Sequence, residues 1–393
     1  MAKNTRFLLA KTAISLAVSF SFISPIALHP TPTLSQVQRA KQWSLTNQAD
    51  EAIEKYRNEN NIPGMSVAIC KNANFIYAKG FGLSNVEKKI KASQNTRYRL
   101  ASVSKAVTGI LAMELRDKGK LKLNSNIRNI LSGLPSQHNY TLAQLLSHQS
   151  GVRHYKKGND PTKNPNQYYS TAQDALKLFI NDQLVIEPGS NYKYSTHGYT
   201  VLAAAMEKMT NKSFGEYASQ RFSAWGLKSL EPENLQVQDA NHTQIYNTNN
   251  QLIKRDDLSW KYAGGGYQSS VVDLCQLGMK VVKGEILNQE SRDLMWTRQK
   301  SQAGLTGYGF GWNVGKDNVS NQKVVAHSGS WTGARSYWRI YPDDGVVVVV
   351  LSNRRNHEPR TLGAYLGNMA VLGTTQFGKP INDTIKPDQP DDE

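Results

Sequence analysis

The sequence is short of cysteine, of long apolar runs and of clustered charge, and each shortage excludes something. Two cysteines, Cys70 and Cys275, in 393 residues exclude a disulfide-scaffolded mini-domain and any four-cysteine zinc or iron–sulfur site. Eight histidines are scattered without the H-E-x-x-H spacing that places two ligands on one helix face, so neither a metal nor a cofactor is expected. After residue 28 no stretch reaches about 18 consecutive apolar residues, which leaves no second membrane span. The net charge is +16, yet no Lys/Arg run of about five to eight residues occurs, so nucleic acid is not expected as a partner. Internal repeats and low-complexity tracts are lacking too.

What is present is ordinary for a folded chain. Hydrophobic residues make up 39% and charged residues 20%, with 7 Trp and 18 Tyr, which excludes a wholly disordered chain, a collagen-like repeat and a polytopic membrane protein. The length suffices for a sizeable core and a deep cleft. Lys3, Arg6 and Lys11 precede an uncharged stretch, Thr12 to Leu28. A basic head and one apolar segment read as a signal peptide or an uncleaved anchor over residues 1–28, and an exported protein, periplasmic or secreted, is expected. Without those three charges the chain keeps +13, scattered, which suggests attraction to an anionic cell wall or membrane surface. Residues 29–45 read as a polar linker. Residues 373–393, with five acids and three prolines from Lys379 to Glu393, read as a disordered acidic tail. Export permits a disulfide, but Cys70 and Cys275 sit in apolar segments and each reads as a small buried hydrophobe.

Periodicity predicts a helix from Thr46 to Asn60 and a hairpin of Met65–Cys70 and Phe75–Gly80 about Lys71-Asn72-Ala73. A strong helix is expected over Ser104–Lys118. Further helices are predicted at Thr141–His148, Thr171–Gln183, Tyr199–Met209, Ser213–Trp225 and Ser269–Val282. Strands return with Val324–His327, Ala334–Tyr341 and Val346–Leu351. The last holds five consecutive valines, as a central strand covered on both faces would. Arg360–Leu372 is expected to close the chain as a helix. The expected fold is thus α/β over residues 46–372. One sheet is built from both chain ends, 62–100 and 307–372, around an inserted helical region, 101–306, with a cleft at the junction.

Three segments carry chemistry. Ser102-Val103-Ser104-Lys105 opens the strong helix, and positions i and i+3 lie one turn apart, so the Lys105 amine can reach the Ser102 hydroxyl. Serine needs a base to act as a nucleophile, and lysine can supply one. The helix N-terminus adds N–H groups suited to an oxyanion. Ser-x-x-Lys recurs at Ser190–Lys193 and Ser320–Lys323, but neither opens a helix. Tyr194-Ser195-Thr196 offers a phenol that could carry a proton. His327-Ser328-Gly329-Ser330 could supply a backbone oxyanion donor, with Gly329 allowing close approach and His327 a hydrogen bond or proton.

These elements in this order resemble the serine β-lactamase and penicillin-binding D,D-peptidase superfamily, in its class C β-lactamase-type branch. Leu145-Leu146-Ser147-His148-Gln149-Ser150-Gly151, Glu187-Pro188-Gly189 with Tyr194-Ser195 and Gly198-Tyr199, Ala263-Gly264-Gly265-Gly266 with Asp273, and Tyr308-Gly309-Phe310-Gly311-Trp312, the last as a strand, add to the likeness. The resemblance implies a β-lactamase/transpeptidase-like fold of α+β type, with an antiparallel sheet flanked by helices. It implies Ser102 as the acylated nucleophile, with Lys105 and Tyr194 sharing base and acid duties. His327 would take the third motif's basic position. The N–H groups of Ser102 and Ser330 would form the oxyanion hole, with Thr196 and Gly329 at the substrate. Thr196 stands where the family usually has Asn, which bears on amide substrates because a hydroxyl offers less than a carboxamide. A serine hydrolase follows, acting on a β-lactam, a D-amino-acid peptide or an ester, without metal or cofactor. The alternatives are an esterase of the same family or a non-catalytic protein that binds penicillin or cell-wall peptide.

Overall fold

The structure, a computed structural model, describes residues 43–377 apart from 157, 159, 164, 166 and 238. The expected signal or anchor, nearly all of the linker and the tail beyond Phe377 lie outside the described residues.

The chain begins with α1 (Thr46–Glu59), which buries Ala49 and Ile53. The hairpin follows as β1 (Gly64–Lys71) and β2 (Asn74–Asn85). Asn72 and Ala73 both take positive φ, +49° and +69°, the backbone that a tight two-residue hairpin requires. A short β3 (Ile90–Lys91) borders β2. Three short strands, β4 (Tyr98–Arg99), β5 (Glu231–Pro232) and β6 (Tyr267–Ser269), form a separate small sheet in the order β4-β6-β5. A two-stranded sheet pairs β7 (Lys300–Ser301) with β8 (Gly304–Leu305). The C-terminal strands are β9 (Asn313–Lys316), β10 (Lys323–Trp331), β11 (Ala334–Tyr341) and β12 (Val346–Ser352).

The main sheet has seven strands in the order β3-β2-β1-β12-β11-β10-β9. Every neighbouring pair is antiparallel. The two chain ends meet where β1 pairs with β12, from Met65↔Ser352 to Lys71↔Val346. The valine run is divided by the period of two that a strand imposes. Val346, Val348 and Val350 join Ile53 of α1 and Leu362, Leu366 and Met369 of the last helix. Val347 and Val349 join the larger core on the other face.

Between the two halves of the sheet run α2 (Val103–Asp117), α3 (Leu142–Leu146), α4 (Ala172–Ala175), α5 (Thr196–Thr210), α6 (Phe214–Ala224), α7 (Tyr262–Gly265), α8 (Val271–Val282) and α9 (Gln289–Met295). The chain closes with α10 (Pro359–Leu372). Every residue of α2 from Val103 to Leu115 is buried, so this helix is enclosed rather than one-sided.

Four expectations are corrected. The helix expected over Thr171–Gln183 is the single turn α4 and a 3₁₀ turn, Leu176–Leu178. The chain then turns so that Phe179 stacks on His197, 4.2 Å between ring centroids. The helix expected over Thr141–His148 stops at Leu146, because His148 adopts φ +59°. Tyr308–Trp312 is a loop, turned by Gly311 at φ +87°, and β9 starts only at Asn313. Cys70 and Cys275 are not two separate thiols: they form a disulfide from β1 to α8, with Cα atoms 6.3 Å apart, well within disulfide reach.

Candidate active site

The residue before the serine sets the geometry. Ala101 takes φ +43°, a left-handed backbone that costs a non-glycine residue about 1 kcal/mol or more. Ser102 then occupies the N-cap position of α2, yet its hydroxyl caps no backbone N–H. The hydroxyl is instead 3.1 Å from Lys105 Nζ. Lys105 is fully buried. Its Nζ also meets Thr196 Oγ1 at 3.0 Å and the Gly264 carbonyl at 2.6 Å. An amine held this way can give two N–H bonds to Thr196 and Gly264 and keep a lone pair for the Ser102 proton. The other two Ser-x-x-Lys pairs are not assembled. Ser190 Oγ donates to its own turn at the Glu187 carbonyl, 2.6 Å, and Ser320 precedes β10 on a loop held by Asp317.

Tyr194 is nearly buried, and its ring centroid lies 4.6 Å from Lys105 Nζ. It immediately precedes the Ser195 cap of α5, whose Oγ accepts from the Gly198 N–H. Helix α5 starts at Thr196, three residues earlier than the periodicity suggested, and this delivers the threonine hydroxyl to Lys105. The Thr196 N–H donates to His154 Nδ1 at 3.1 Å.

Strand β10 forms the opposite wall. A Cβ on Gly329 would stand 2.3 Å from the Leu100 carbonyl oxygen and 3.0 Å from the Ser102 nitrogen. Only glycine lets the strand pass this close to the helix start. Strand β9 pairs with β10 only over Lys323–Ala326. Among the described residues, His327–Trp331 therefore has no strand on that edge, which leaves main-chain groups around Ser330 for an extended substrate. His327 is fully buried. Its Nδ1 donates to the Ser328 carbonyl at 2.6 Å, and its Nε2 lies 2.8 Å from the Tyr308 hydroxyl. Its ring is 6.5 Å from that of Tyr194.

The structure thus brings Ser102, Lys105, Tyr194, Thr196, His327 and Gly329 together, with Ser330 next to Gly329 on β10. Reasoning from sequence assigned no role to His148, His154, Tyr308 or the Gly264 carbonyl. Three of these lie inside matched segments, and His154 carries no local signal. His148 Nδ1 accepts from the Ser195 N–H at 3.2 Å, and its ring packs 4.4 Å from Tyr194. Burial first, then the charges of Lys105, His327 and His154, hold it well below the usual histidine range. A neutral His148 braces the tyrosine without adding charge.

A serine and lysine so placed, between a sheet closed from both ends and a helical insert, define the β-lactamase and penicillin-binding fold. The chain belongs to the Beta-lactamase family, which matches residues 49–370. Protein flp of Staphylococcus aureus (strain N315) is 26% identical over 342 residues, 82% of this chain and 66% of its own length. The chain thus spans just under two thirds of that relative. The human mitochondrial serine beta-lactamase-like protein LACTB is 23% identical, over 78% of this chain and 76% of its own. Among solved structures, the octameric penicillin-binding protein homologue from Pyrococcus abyssi superposes with TM-score 0.73 at 25% identity, covering 83% of this chain and 77% of its own. A D-stereospecific amidohydrolase from Streptomyces sp. superposes with TM-score 0.70 at 18% identity, over 84% and 99%.

Proposed function

We propose that the protein is an exported serine hydrolase that attacks an amide or ester carbonyl through an acyl-enzyme on Ser102. The observation that carries this is the Lys105 amine, 3.1 Å from Ser102 Oγ and held by Thr196 and Gly264. Ser102 Oγ attacks the carbonyl carbon as its proton passes to Lys105. The N–H groups of Ser102 and Ser330 receive the oxyanion. Lys105 and Tyr194 return the proton to the leaving group, whose bond to the carbonyl breaks. Water then attacks the acyl-enzyme, and the same groups take its proton and restore the serine. His327, held at Nε2 by the Tyr308 hydroxyl, borders this relay.

A D-amino-acid peptide or a β-lactam is the first substrate class, and a small ester the second. The free edge of β10 suits an extended, peptide-like chain, and relatives in fold include a penicillin-binding protein homologue and a D-stereospecific amidohydrolase. EstCE1, a hydrolase with promiscuous acyltransferase activity, shares the fold, with TM-score 0.69 at 21% identity over 79% of this chain and 94% of its own, in keeping with acyl transfer through Ser102. A buried disulfide agrees with export, since such bonds persist in oxidising compartments. The test is intact-protein mass after incubation with a fluorophosphonate and, separately, with a penicillin. Adducts are expected on wild type, Ser190→Ala and Ser320→Ala, and none on Ser102→Ala. Undiminished labelling of Ser102→Ala would sink the reading.

A further inference from the structure

Acyl transfer requires two separate segments to keep their spacing. Ser102 opens α2 and Ser330 lies on β10, and on the reading above their N–H groups receive the oxyanion together. Strand β11 holds β10 from Val325↔Ile340 to Trp331↔Ala334, whereas β9 pairs with it only over Lys323–Ala326. Ser330 therefore sits near the tip of a hairpin that is paired along one edge. Such a tip opens more readily than a strand paired on both sides. One tie reaches it from the helix start: Ser336 Oγ, opposite Gly329, donates to the Leu100 carbonyl at 2.6 Å.

A second tie lies beyond Ser330, in a buried ion cluster that the acyl-transfer steps do not use. Arg99 ends β4, three residues before the serine, and is fully buried. Its Nε and Nη2 donate to the Glu233 carboxylate at 2.8 and 2.9 Å. Its Nη1 donates to Asp256 Oδ1 at 2.6 Å and to the Thr332 carbonyl at 3.4 Å, and its Nη2 to the Asp256 carbonyl at 2.7 Å. The other oxygen of the same carboxylate, Asp256 Oδ2, accepts from the Trp331 indole N–H at 2.7 Å. Trp331 follows Ser330, and Lys261 Nζ lies over the face of its ring. One carboxylate thus joins the strand that leads to the nucleophile to the residue after the second oxyanion donor.

The charges of this cluster balance. Among the described residues, Arg97, Arg99, Arg255 and Lys261 lie with Glu231, Glu233, Asp239 and Asp256. Burial would raise the Asp256 carboxyl, but the charges of Arg99 and Lys261 outweigh it and hold it below the ordinary carboxylate range. An ionised carboxylate offers one oxygen to each of two donors, which a carboxamide cannot do. A balanced, hydrogen-bonded cluster calls for no outside ion and fixes the groups around it.

We propose that Asp256 is a positioning residue for acyl transfer: by holding Arg99 and Trp331 at once, it sets the spacing between the Ser102 and Ser330 N–H groups. The inference rests on the acyl-transfer reading and adds to it the residue that keeps the oxyanion donors in place. A shift of the donors weakens contact with the tetrahedral species more than with the bound ester, so the rate falls and ground-state binding does not.

The test is single-turnover acylation by 4-nitrophenyl acetate with enzyme in excess, which gives a limiting rate and a half-saturation concentration. Trp331→Phe keeps a ring and loses the indole N–H. Asp256→Asn keeps one acceptor oxygen, so it can serve Arg99 or Trp331 but not both. Each is expected to lower the limiting rate about tenfold and to move half-saturation by less than about twofold. Because both break the same link, the double variant is expected to be no slower than Asp256→Asn. Phenylboronic acid, which forms a tetrahedral adduct on a reactive serine, is expected to bind each single variant about tenfold more weakly. An unchanged limiting rate in a Trp331→Phe protein with native-like circular dichroism overturns the proposal. So does a double variant slowed about 100-fold, since independent losses multiply. Should Asp256→Asn fail to fold, Trp331→Phe and its boronic acid affinity decide. Fluorophosphonate labelling of Ser102 in the wild-type protein reports separately on the acyl-enzyme reading. Its absence sinks that reading, whereas full labelling with unaffected variants sinks the positioning role alone.

Discussion

At the scale of the residue, the site depends on what surrounds one amine. Lys105 Nζ lies within hydrogen-bond distance of Ser102 Oγ, Thr196 Oγ1 and the Gly264 carbonyl. Lys105→Ala takes away the base, and Tyr194→Phe takes away the phenol beside it. Each is expected to slow acylation by about 10²- to 10⁴-fold, the usual worth of a positioned acid or base. Stopped-flow acylation of proteins with native-like circular dichroism checks this, and unchanged rates would remove either residue from the mechanism. The Thr196 hydroxyl is part of the site: it accepts from Lys105 at 3.0 Å. Thr196→Val keeps the shape and loses that bond. Acylation is expected to fall about tenfold, as one neutral hydrogen bond to an amine is worth about 1–1.5 kcal/mol. The same rate in Thr196→Val would show that Gly264 alone orients the amine.

At the scale of the element, the two sides of the sheet are tied differently. The site side rests on α2, enclosed from Val103 to Leu115. The other side joins α1, β12 and the entry to α10 through His357. Its Nδ1 meets Tyr56 Oη at 2.8 Å, and its Nε2 meets Ser352 Oγ at 2.7 Å. Burial above all, with the charges of Arg335 and Arg354, pushes this histidine down to about 3 from 6.5. The unfolded chain therefore takes up a proton before the folded one does. The stabilising contribution is complete above about pH 6.5 and is lost as pH falls from there toward about 3. The urea midpoint of wild type is expected to drop between pH 7 and pH 5, and that of His357→Gln to drop less. Equal drops would assign the acid sensitivity to other groups.

At the scale of the whole molecule, the joint between the chain ends matters most. The disulfide ties β1 to α8 across 205 residues of sequence. Loops of this size are worth about 2–5 kcal/mol when cross-linked. Cys70→Ala/Cys275→Ala is expected to unfold at lower urea, with a loss in that range, while Ser102 still labels with fluorophosphonate. Thiol titration of denatured, unreduced protein should find no free thiol. Two free thiols per chain would show that the pair is reduced in the purified protein.

How much of this was legible in the sequence differs by feature. The hairpin at Lys71-Asn72-Ala73, the strands at Ala334 and Val346, and the helix behind Ser102 follow from local patterning, because apolar runs and turn residues are local signals; that the helix and both strands are buried on every side is set by what packs on them. The serine–lysine pair was legible for the same reason, one helical turn being a local distance. Short elements were not: α4 and the Tyr308–Trp312 loop take their shape from Phe179 packing on His197 and from Gly311 lying against α2, and neither contact is written nearby in the sequence. The disulfide is not legible locally, because apolar context describes a free buried cysteine as well as a bonded one. His154 at Thr196 and Gly264 at Lys105 are set by segments far apart in the chain. Sequence by itself determined which residues could do chemistry and which elements would carry them. Only the tertiary structure decided which polar groups share a dry space, since that depends on how the helical insert closes over β10 and not on any local period.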